Sequence, residues 1–461
     1  MRAYLQNLKV GLVIGFSLLS FASFANETSA VGALEKILTV EQMQQDINAW
    51  QTFMDNTHPD LGIRVTDPTQ LKVSIESLRD SLTAPLTTKA FINKLAVYNG
   101  QFHDGHMSIM VRSQKKLAKS IIEEHQALLP FEVTVKDSKV YVRSKLGGEV
   151  SEYQNAELKT INGLPVSSVY KTLIERTYGD TVRHKEALLS NKFALFYWLF
   201  VNPTSQFNVE LEQNNKQVKL ALEGSVELPS AMRTKSFDDT FQFTVLDKKQ
   251  ALLTINEFWW EDKNAFYDFT KNAFQTLKEK QIEHLIIDVR QNPGGDDDTW
   301  KTGLLRYLAD KPYRHTRRYT KKILAKYQDE GEVVGDVVSK DYDKYEPVVA
   351  DEPLKFKGKV SVVVGALTYS SAILFTNTMQ DFGFAQIVGE PSGGYAWQTG
   401  GIQFFTLPNS GLLAVSPRFY LERPVGGSAH EQIKPDVVLN DNPLATSQVI
   451  ADLANKSATH L

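Results

Sequence analysis

The stretch Thr368-Tyr369-Ser370-Ser371 separates an apolar run at 360–364 from a segment at 370–382 with apolar residues at helical spacing. The run predicts a buried strand, and the spacing predicts a helix that packs one face on the core. A hydroxyl in the first turn of a helix lies beside unpaired N–H groups and the positive end of the helix dipole. Ser370 is therefore a candidate nucleophile, although capping is the commoner role of a serine at a helix start.

A second apolar run, at 285–289, ends in Arg290-Gln291-Asn292-Pro293-Gly294-Gly295. Adjacent glycines let backbone N–H groups approach a reacting oxygen closely, because no Cβ stands in the way. The two turns together predict an attacking hydroxyl on one segment and an oxyanion hole on the other.

The bulk composition is that of an ordinary globular protein, with 461 residues, 42% hydrophobic and 23% charged. The 51 basic and 54 acidic residues form no long block of one sign, which argues against nucleic acid or an anionic membrane as partner. A polypeptide, a peptide or a small molecule is the expected partner.

Residues 1–25 have the layout of a secretory signal peptide. Two basic residues precede an apolar run at 10–19, and Ala22-Ser23-Phe24-Ala25 precedes the polar Asn26. No later stretch reaches 18 continuous apolar residues, so the mature chain is expected to be soluble, without stable membrane insertion. The chain has no cysteine, and export without disulfides fits a bacterial periplasm.

The pattern of periodicity divides the rest of the chain into four parts. Residues 26–115 are mainly helical in pattern, 116–234 are mostly short strands, 235–445 alternate strand and helix as in a layered α/β core, and 446–461 form a C-terminal tail. The polar stretch at 322–351 has little periodicity and predicts a surface excursion near the site.

The motifs in the last large part resemble those of the C-terminal processing (tail-specific) serine peptidases. The segments that carry the resemblance are 290–295, 368–372, Met379-Gln380-Asp381-Phe382-Gly383, Val388-Gly389-Glu390-Pro391-Ser392-Gly393-Gly394 and Ile433-Lys434-Pro435-Asp436. His58-Pro59-Asp60-Leu61 and Ile161-Asn162-Gly163 resemble the helical domain and the PDZ-like module of the same family. The resemblance implies a crotonase- or ClpP-like layered α/β core with a helical N-terminal domain and a small β-rich PDZ-like module.

The resemblance also implies roles for individual residues. Ser370 would be the nucleophile, and the N–H of Ser371 with that of Gly294 or Gly295 would form the oxyanion hole. Many members carry a catalytic lysine after the later Gly-Gly turn, but this chain has Tyr395 there. A tyrosine, with a reference pKa of about 10, is a poor base at neutral pH.

A second branch of the family, which resembles the tricorn protease core, uses a histidine upstream of the core. Asp104-Gly105-His106 fits its pattern, and histidine is the commonest general base for a serine hydroxyl. We therefore assign His106 as the base. That branch also has a glutamate near the end of the core, for which Glu431 is the nearest candidate; it could equally be a solvated loop residue.

The sequence thus favours an exported serine peptidase that forms an acyl-enzyme and needs no cofactor. A member of the fold that has lost catalysis and binds peptides or small apolar ligands is the alternative, because of Tyr395. A metal-dependent hydrolase is less favoured, since His103, Asp104 and His106 are close in sequence but lack clear further ligands. The substrate, the oligomeric state and chain-end binding by the PDZ-like module are left open.

Overall fold

The computed structural model describes residues 28–445 and 447–458. The predicted signal peptide at 1–25 lies outside these residues. Among the helices of the described residues, none is long and apolar enough to cross a membrane.

The elements follow in chain order. The first half of the chain contains α1 (Ala30–Glu35), β1 (Ile37–Leu38), α2 (Val40–Thr57), α3 (Pro68–Asp80), β2 (Leu86–Thr87), α4 (Thr88–Leu95), β3 (Ser108–Met110), α5 (Gln114–Glu123), β4 (Phe131–Lys136), β5 (Lys139–Lys145), β6 (Glu157–Ile161), β7 (Leu164–Pro165), α6 (Val166–Glu175), α7 (Val182–Phe200), β8 (Gln206–Gln213) and β9 (Lys216–Glu223). The second half contains α8 (Phe237–Thr240), β10 (Phe241–Val245), β11 (Gln250–Ile255), α9 (Lys263–Glu279), β12 (His284–Asp288), α10 (Asp297–Trp300), α11 (Arg306–Leu308), β13 (Arg318–Lys322), β14 (Val337–Asp341), β15 (Lys359–Val364), α12 (Ser371–Asp381), β16 (Gln386–Gly389), β17 (Gln398–Gly400), β18 (Gln403–Thr406), β19 (Leu413–Ser416), β20 (Phe419–Leu421), β21 (Val437–Val438) and α13 (Gln448–Ala458).

The main sheet of the second half positions the candidate site. Its order is β10-β11-β12-β15-β16-β21, and every neighbouring pair is parallel except β10 with β11. Because β12 and β15 are parallel neighbours, their carboxyl ends lie side by side, with Asp288 opposite Val363. The Gly-Gly turn and the Ser370 turn therefore leave the same edge of the sheet, and the mixed α/β class expected from the sequence is confirmed.

The two predicted N-terminal parts share one hydrophobic core. Buried apolar side chains from Val31 to Met232 form a single cluster, which also takes in Leu407, Leu412 and Ala414. In addition, β3 pairs with β19 of the second half. The strand that follows His106 is thus held by the same part of the chain that carries β17 and β18.

The small β-rich unit is a sheet in the order β4-β5-β6-β8-β9, with β7 beside β6. Its edge strand, β4, is covered by α7. The Val135 N–H donates to the Ser190 hydroxyl at 2.8 Å, and the Ser138 N–H donates to the Glu186 carboxylate at 2.8 Å. These N–H groups are already paired, so a peptide that added as a further strand would first have to displace α7 side chains.

The segment after the Gly-Gly turn is not a regular α-helix. It consists of α10, a π-helical segment Lys301–Leu305 and α11. Gly303 lies in the π segment, where a Cβ would come within 2.5 Å of the Phe266 ring. The surface excursion at 322–351 contains an ordered strand, β14, because β14 pairs with β13.

Candidate active site

The turn before α12 holds Ser370 in a strained conformation. Ser370 has φ +53° and ψ −124°, a region that favours glycine, and its hydroxyl caps no N–H group of the helix. The turn is tied to the end of β12, because the Tyr369 N–H donates to the Asn292 carbonyl at 3.0 Å and the Thr368 hydroxyl donates to the Val289 carbonyl at 2.8 Å. Simple capping does not explain this serine, whereas a nucleophile on a sharp strand-to-helix turn does.

The Gly-Gly turn lies directly against the Ser370 turn. A Cβ on Gly294 would come within 2.6 Å of the Ser370 Cβ and 2.9 Å of the Ser371 nitrogen. The Gly294 N–H already donates to the Asn292 side chain at 2.8 Å. In the described part of the chain, the N–H groups of Gly295 and Ser371 donate to no acceptor. Of the three predicted donors, Gly294 therefore provides the close approach, and Gly295 and Ser371 have free N–H groups.

The first turn of α12 is anchored by a buried hydrogen-bond network. The Ser371 hydroxyl donates to the Asp297 carboxylate at 2.5 Å and accepts from the Trp300 indole N–H at 2.9 Å. Burial raises the pKa of Asp297. The side chain of Ser371 thus fixes the direction of its own N–H group.

His106 lies on the same side of the molecule as Ser370. Its ring is buried, with the ring centroid 4.8 Å from that of Tyr369, the residue before Ser370. Its ring Nδ1 lies 2.8 Å from the Thr399 hydroxyl. Its backbone N–H donates to Asp104 Oδ1 at 2.8 Å. Among the described residues no hydrogen bond joins His106 to Ser370, and Nε2 has no partner. Burial lowers the pKa of His106 to about 4, so the ring is neutral at pH 7.

Strand β17 connects the two candidate catalytic residues through adjacent side chains. Gln398 accepts the N–H of Ser370 at 2.9 Å, and Thr399 contacts His106. Neither residue can be recognised from the sequence, because nothing in the local pattern marks a glutamine and a threonine on a short strand.

Asp180, which the sequence analysis also missed, joins three segments of the site. Its Oδ1 accepts from the Tyr369 hydroxyl and from the Gly105 N–H, both at 2.8 Å, and its Oδ2 accepts from the Tyr395 N–H at 2.9 Å. His184 lies against the Tyr369 ring at 4.4 Å, and burial lowers its pKa to about 4. The only local signal is that Asp180 lies in the loop just before the helix α7.

Tyr395, at the position of the family lysine, is held as a neutral phenol. The Arg64 guanidinium lies 4.4 Å from its ring centroid. Burial, followed by the charge of Asp180, raises the pKa of Tyr395. A phenol whose pKa is above its usual value of about 10 does not act as a base at neutral pH.

Glu431 lies in a separate set of contacts. Its exposed carboxylate is 3.6 Å from the Lys434 ammonium and accepts the Ser428 N–H at 3.3 Å. Its contacts in the described residues do not include His106. The role of Glu431 in catalysis stays a prediction.

The metal alternative gains no support from the arrangement of side chains. No group of three or more histidine, aspartate or glutamate side chains in the described residues is placed to hold a metal ion. His103 and His106 are separated by a turn in which His103 has φ +50°.

Comparisons with known proteins bear on the family and the fold of the chain. Residues 249–439 match the sequence profile of peptidase family S41. A structure of mature CPAF complexed with lactacystin matches with a TM-score of 0.66 at 15% identity, over 91% of this chain and 97% of that chain, which is a likeness of fold. The photosystem II D1 C-terminal processing protease gives 0.45 at 14% identity over 87% and 94% of the two chains, and the tricorn protease gives 0.42 at 13% over 91% and 36%.

No curated protein sequence matches the chain significantly. The family profile covers both turns of the candidate site, the Gly-Gly turn and the Ser370 turn. Residues 249–439 are therefore similar to peptidase family S41, and this similarity supports a serine-type peptidase.

Proposed function

We propose that this protein hydrolyses peptide bonds through an acyl-enzyme, with Ser370 as nucleophile and His106 as general base. The observation that carries the proposal is the strained Ser370 turn. The backbone conformation is energetically unfavourable, and the hydroxyl that it holds in place caps no N–H group of the helix. The neutral, buried imidazole beside Tyr369 and the two unpaired N–H groups of Gly295 and Ser371 support it.

The chemistry follows from these groups. The Ser370 Oγ attacks the scissile carbonyl carbon while its proton passes to Nε2 of His106. The N–H groups of Gly295 and Ser371 stabilise the oxyanion. The imidazolium then gives its proton to the leaving amine, which leaves an ester on Ser370. Water attacks the ester with His106 again as base, and the serine is regenerated.

Labelling with a fluorophosphonate tests this mechanism without a known substrate. We expect the wild-type protein to be labelled and Ser370→Ala to be unlabelled. We expect His106→Ala to slow labelling by about 10²-fold or more, because general base catalysis typically contributes about 10² to 10⁴.

The matched control is His103→Asn, since asparagine tolerates a positive φ and residue 103 has φ +50°. We expect this variant to label at the wild-type rate. A folded wild type that is not labelled would instead favour the alternative, a binding protein that has lost catalysis. Equal losses for His103→Asn and His106→Ala would contradict the assigned base.

We also propose export, which rests on residues 1–25 alone. In a Gram-negative host we expect the periplasmic fraction to contain a chain that begins at Asn26, because signal peptidase cleaves after small residues. Intact-mass measurement checks this. A full-length chain retained in the cytoplasm would contradict it.

A further inference from the structure

The Thr399 hydroxyl lies between the imidazole of His106 and a buried carboxylate. Its Oγ1 is 2.8 Å from His106 Nδ1 and 2.9 Å from Asp104 Oδ1. A hydroxyl has one proton, and an ionised carboxylate can only accept. The hydroxyl therefore donates to Asp104, and the remaining contact requires that Nδ1–H of His106 donates to the hydroxyl. This order places the imidazole proton on Nδ1 and leaves the lone pair on Nε2.

The carboxylate of Asp104 is more than a turn-forming group. Its Oδ1 also accepts the backbone N–H of His106 at 2.8 Å, which is the usual hydrogen bond of an aspartate in a tight turn. Its Oδ2, however, is buried and has no partner in the described part of the chain. A buried carboxylate oxygen without a partner is destabilising, whereas a serine could make the same turn hydrogen bond without one.

We infer that Asp104 and Thr399 are the positioning residues of this site. The Thr399 hydroxyl connects the Asp104 carboxylate to Nδ1 of His106, fixes the tautomer and the ring orientation, and lets the carboxylate stabilise the imidazolium. The geometry stands by itself, whereas its effect on rate rests on the proposed function.

The proton balance assigns each group one task. Nε2 takes the proton from the Ser370 hydroxyl and later gives it to the leaving amine. The Nδ1 proton stays on the ring throughout, and Asp104 stays ionised. The loss of the Thr399 hydroxyl would break the link from Nδ1 to Asp104 and would admit the tautomer with the proton on Nε2, which cannot act as the base.

Two substitutions at position 399 separate this role from packing. Thr399→Val keeps the branched shape of the strand residue and removes the hydroxyl, and Thr399→Ser keeps the hydroxyl and removes the methyl group. We expect fluorophosphonate labelling to slow about 10²-fold in Thr399→Val and to stay within about tenfold of wild type in Thr399→Ser. The opposite order, with valine tolerated and serine harmful, would overturn the inference, because packing alone predicts it.

A second readout does not depend on activity. The ¹⁵N shifts of selectively labelled histidine report which ring nitrogen carries the proton, and Ser370→Ala, which retains the His106 contacts, serves as a resting enzyme. We expect His106 to carry its proton on Nδ1 in the wild type and in Thr399→Ser. A proton on Nε2 in the wild type would overturn the inference even if the protein proved unreactive, and an unreactive wild type with Nδ1–H would count against the proposed function only.

Discussion

At the residue scale, the most consequential property of the site is that the proposed base, His106, is neutral well below pH 7. His106 faces two carboxylates, Asp104 and Asp180, and the cation of Arg64, and it lies across the Tyr369 ring from His184. Burial outweighs the attraction of Asp180 and lowers the pKa of His106 to about 4. The reactive, unprotonated form therefore persists into mildly acidic solution.

The pH dependence of labelling tests this property. Protonation of His106 removes the base, so activity falls as pH drops through its pKa. We expect substantial fluorophosphonate labelling at pH 5 and its loss near pH 4, where a histidine of ordinary pKa, about 6.5, would already be almost wholly protonated at pH 5. The labelling rate should be measured from pH 8 to pH 4, with circular dichroism at each pH to verify folding. A labelling rate that falls in a single step near pH 6.5 would contradict the expectation.

The titration of Asp104 is expected to add a smaller change to the pH dependence of the labelling rate. Burial and then the charge of Asp180 raise the pKa of Asp104 to about 6. If Asp104 positions His106 through Thr399, its protonation weakens that support and gives a partial decrease in rate near pH 6. The isosteric variant Asp104→Asn should lack this decrease near pH 6 and keep the loss of labelling near pH 4.

At the scale of elements, the connection from β15 to α12 stores strain at Ser370, the proposed nucleophile. The main-sheet register brings the turn after β12 against it, and the close approach at Gly294 leaves the backbone of Ser370 little choice of conformation. Strain of this kind costs on the order of 1 to 3 kcal/mol and persists only where the surroundings enforce it.

Two substitutions that both remove the hydroxyl reveal the strain. In most places alanine is more stable than glycine, by about 0.4 to 1 kcal/mol, because glycine has more freedom in the unfolded chain. At φ +53° we expect the reverse, with Ser370→Gly more stable than Ser370→Ala by about 1 kcal/mol. Urea denaturation of the two inactive variants measures the difference. A more stable alanine variant would show that the turn relaxes without cost.

At the same scale, the edge strand β4 of the small sheet bears on whether a peptide can add to that sheet. Strand addition needs free N–H and C=O groups along an edge strand. In β4 the Ser190 hydroxyl on α7 accepts the Val135 N–H, and Glu186 on α7 accepts the N–H groups of Asp137 and Ser138 in the turn after the strand. Chain-end binding by strand addition at β4, which the sequence leaves open, would therefore have to displace the Ser190 side chain.

At the scale of the whole molecule, buried histidines link stability to pH. Burial lowers the pKa of His58 to about 3 and those of His106, His184 and His284 to about 4. In the unfolded chain each titrates near 6.5. Between about pH 6.5 and pH 4 the unfolded chain thus binds protons that the folded chain does not, and the free energy of unfolding decreases as pH falls.

We expect this decrease to be visible in urea denaturation between pH 7 and pH 5. Each such histidine contributes a slope of at most about 1.4 kcal/mol per pH unit, and Asp104, whose pKa is raised to about 6, opposes it with the contrary sign. His58→Phe keeps an aromatic ring beside Tyr420 and should make the slope shallower. Constant stability from pH 7 to pH 5 would contradict the neutral state of these rings.

The sequence by itself determined the parts of the site that depend on local pattern. Apolar runs identified β12 and β15, helical spacing identified α12, and paired glycines marked the place where backbone approaches Ser370. These features were readable because strand and helix periodicity, and the need for glycine at a close approach, act within a few residues. Asp104-Gly105-His106 was found through its likeness to a family motif.

Only the tertiary structure decided which side chains surround the proposed base and the proposed nucleophile. Thr399 contacts His106 across 293 residues of sequence, and Gln398 contacts Ser370 across 28. Asp180 joins segments from three parts of the chain. Glu431, the nearest candidate by sequence position, lies instead beside Lys434. Such partners depend on strand order, register and packing, which bring distant residues together, and no local spacing encodes them.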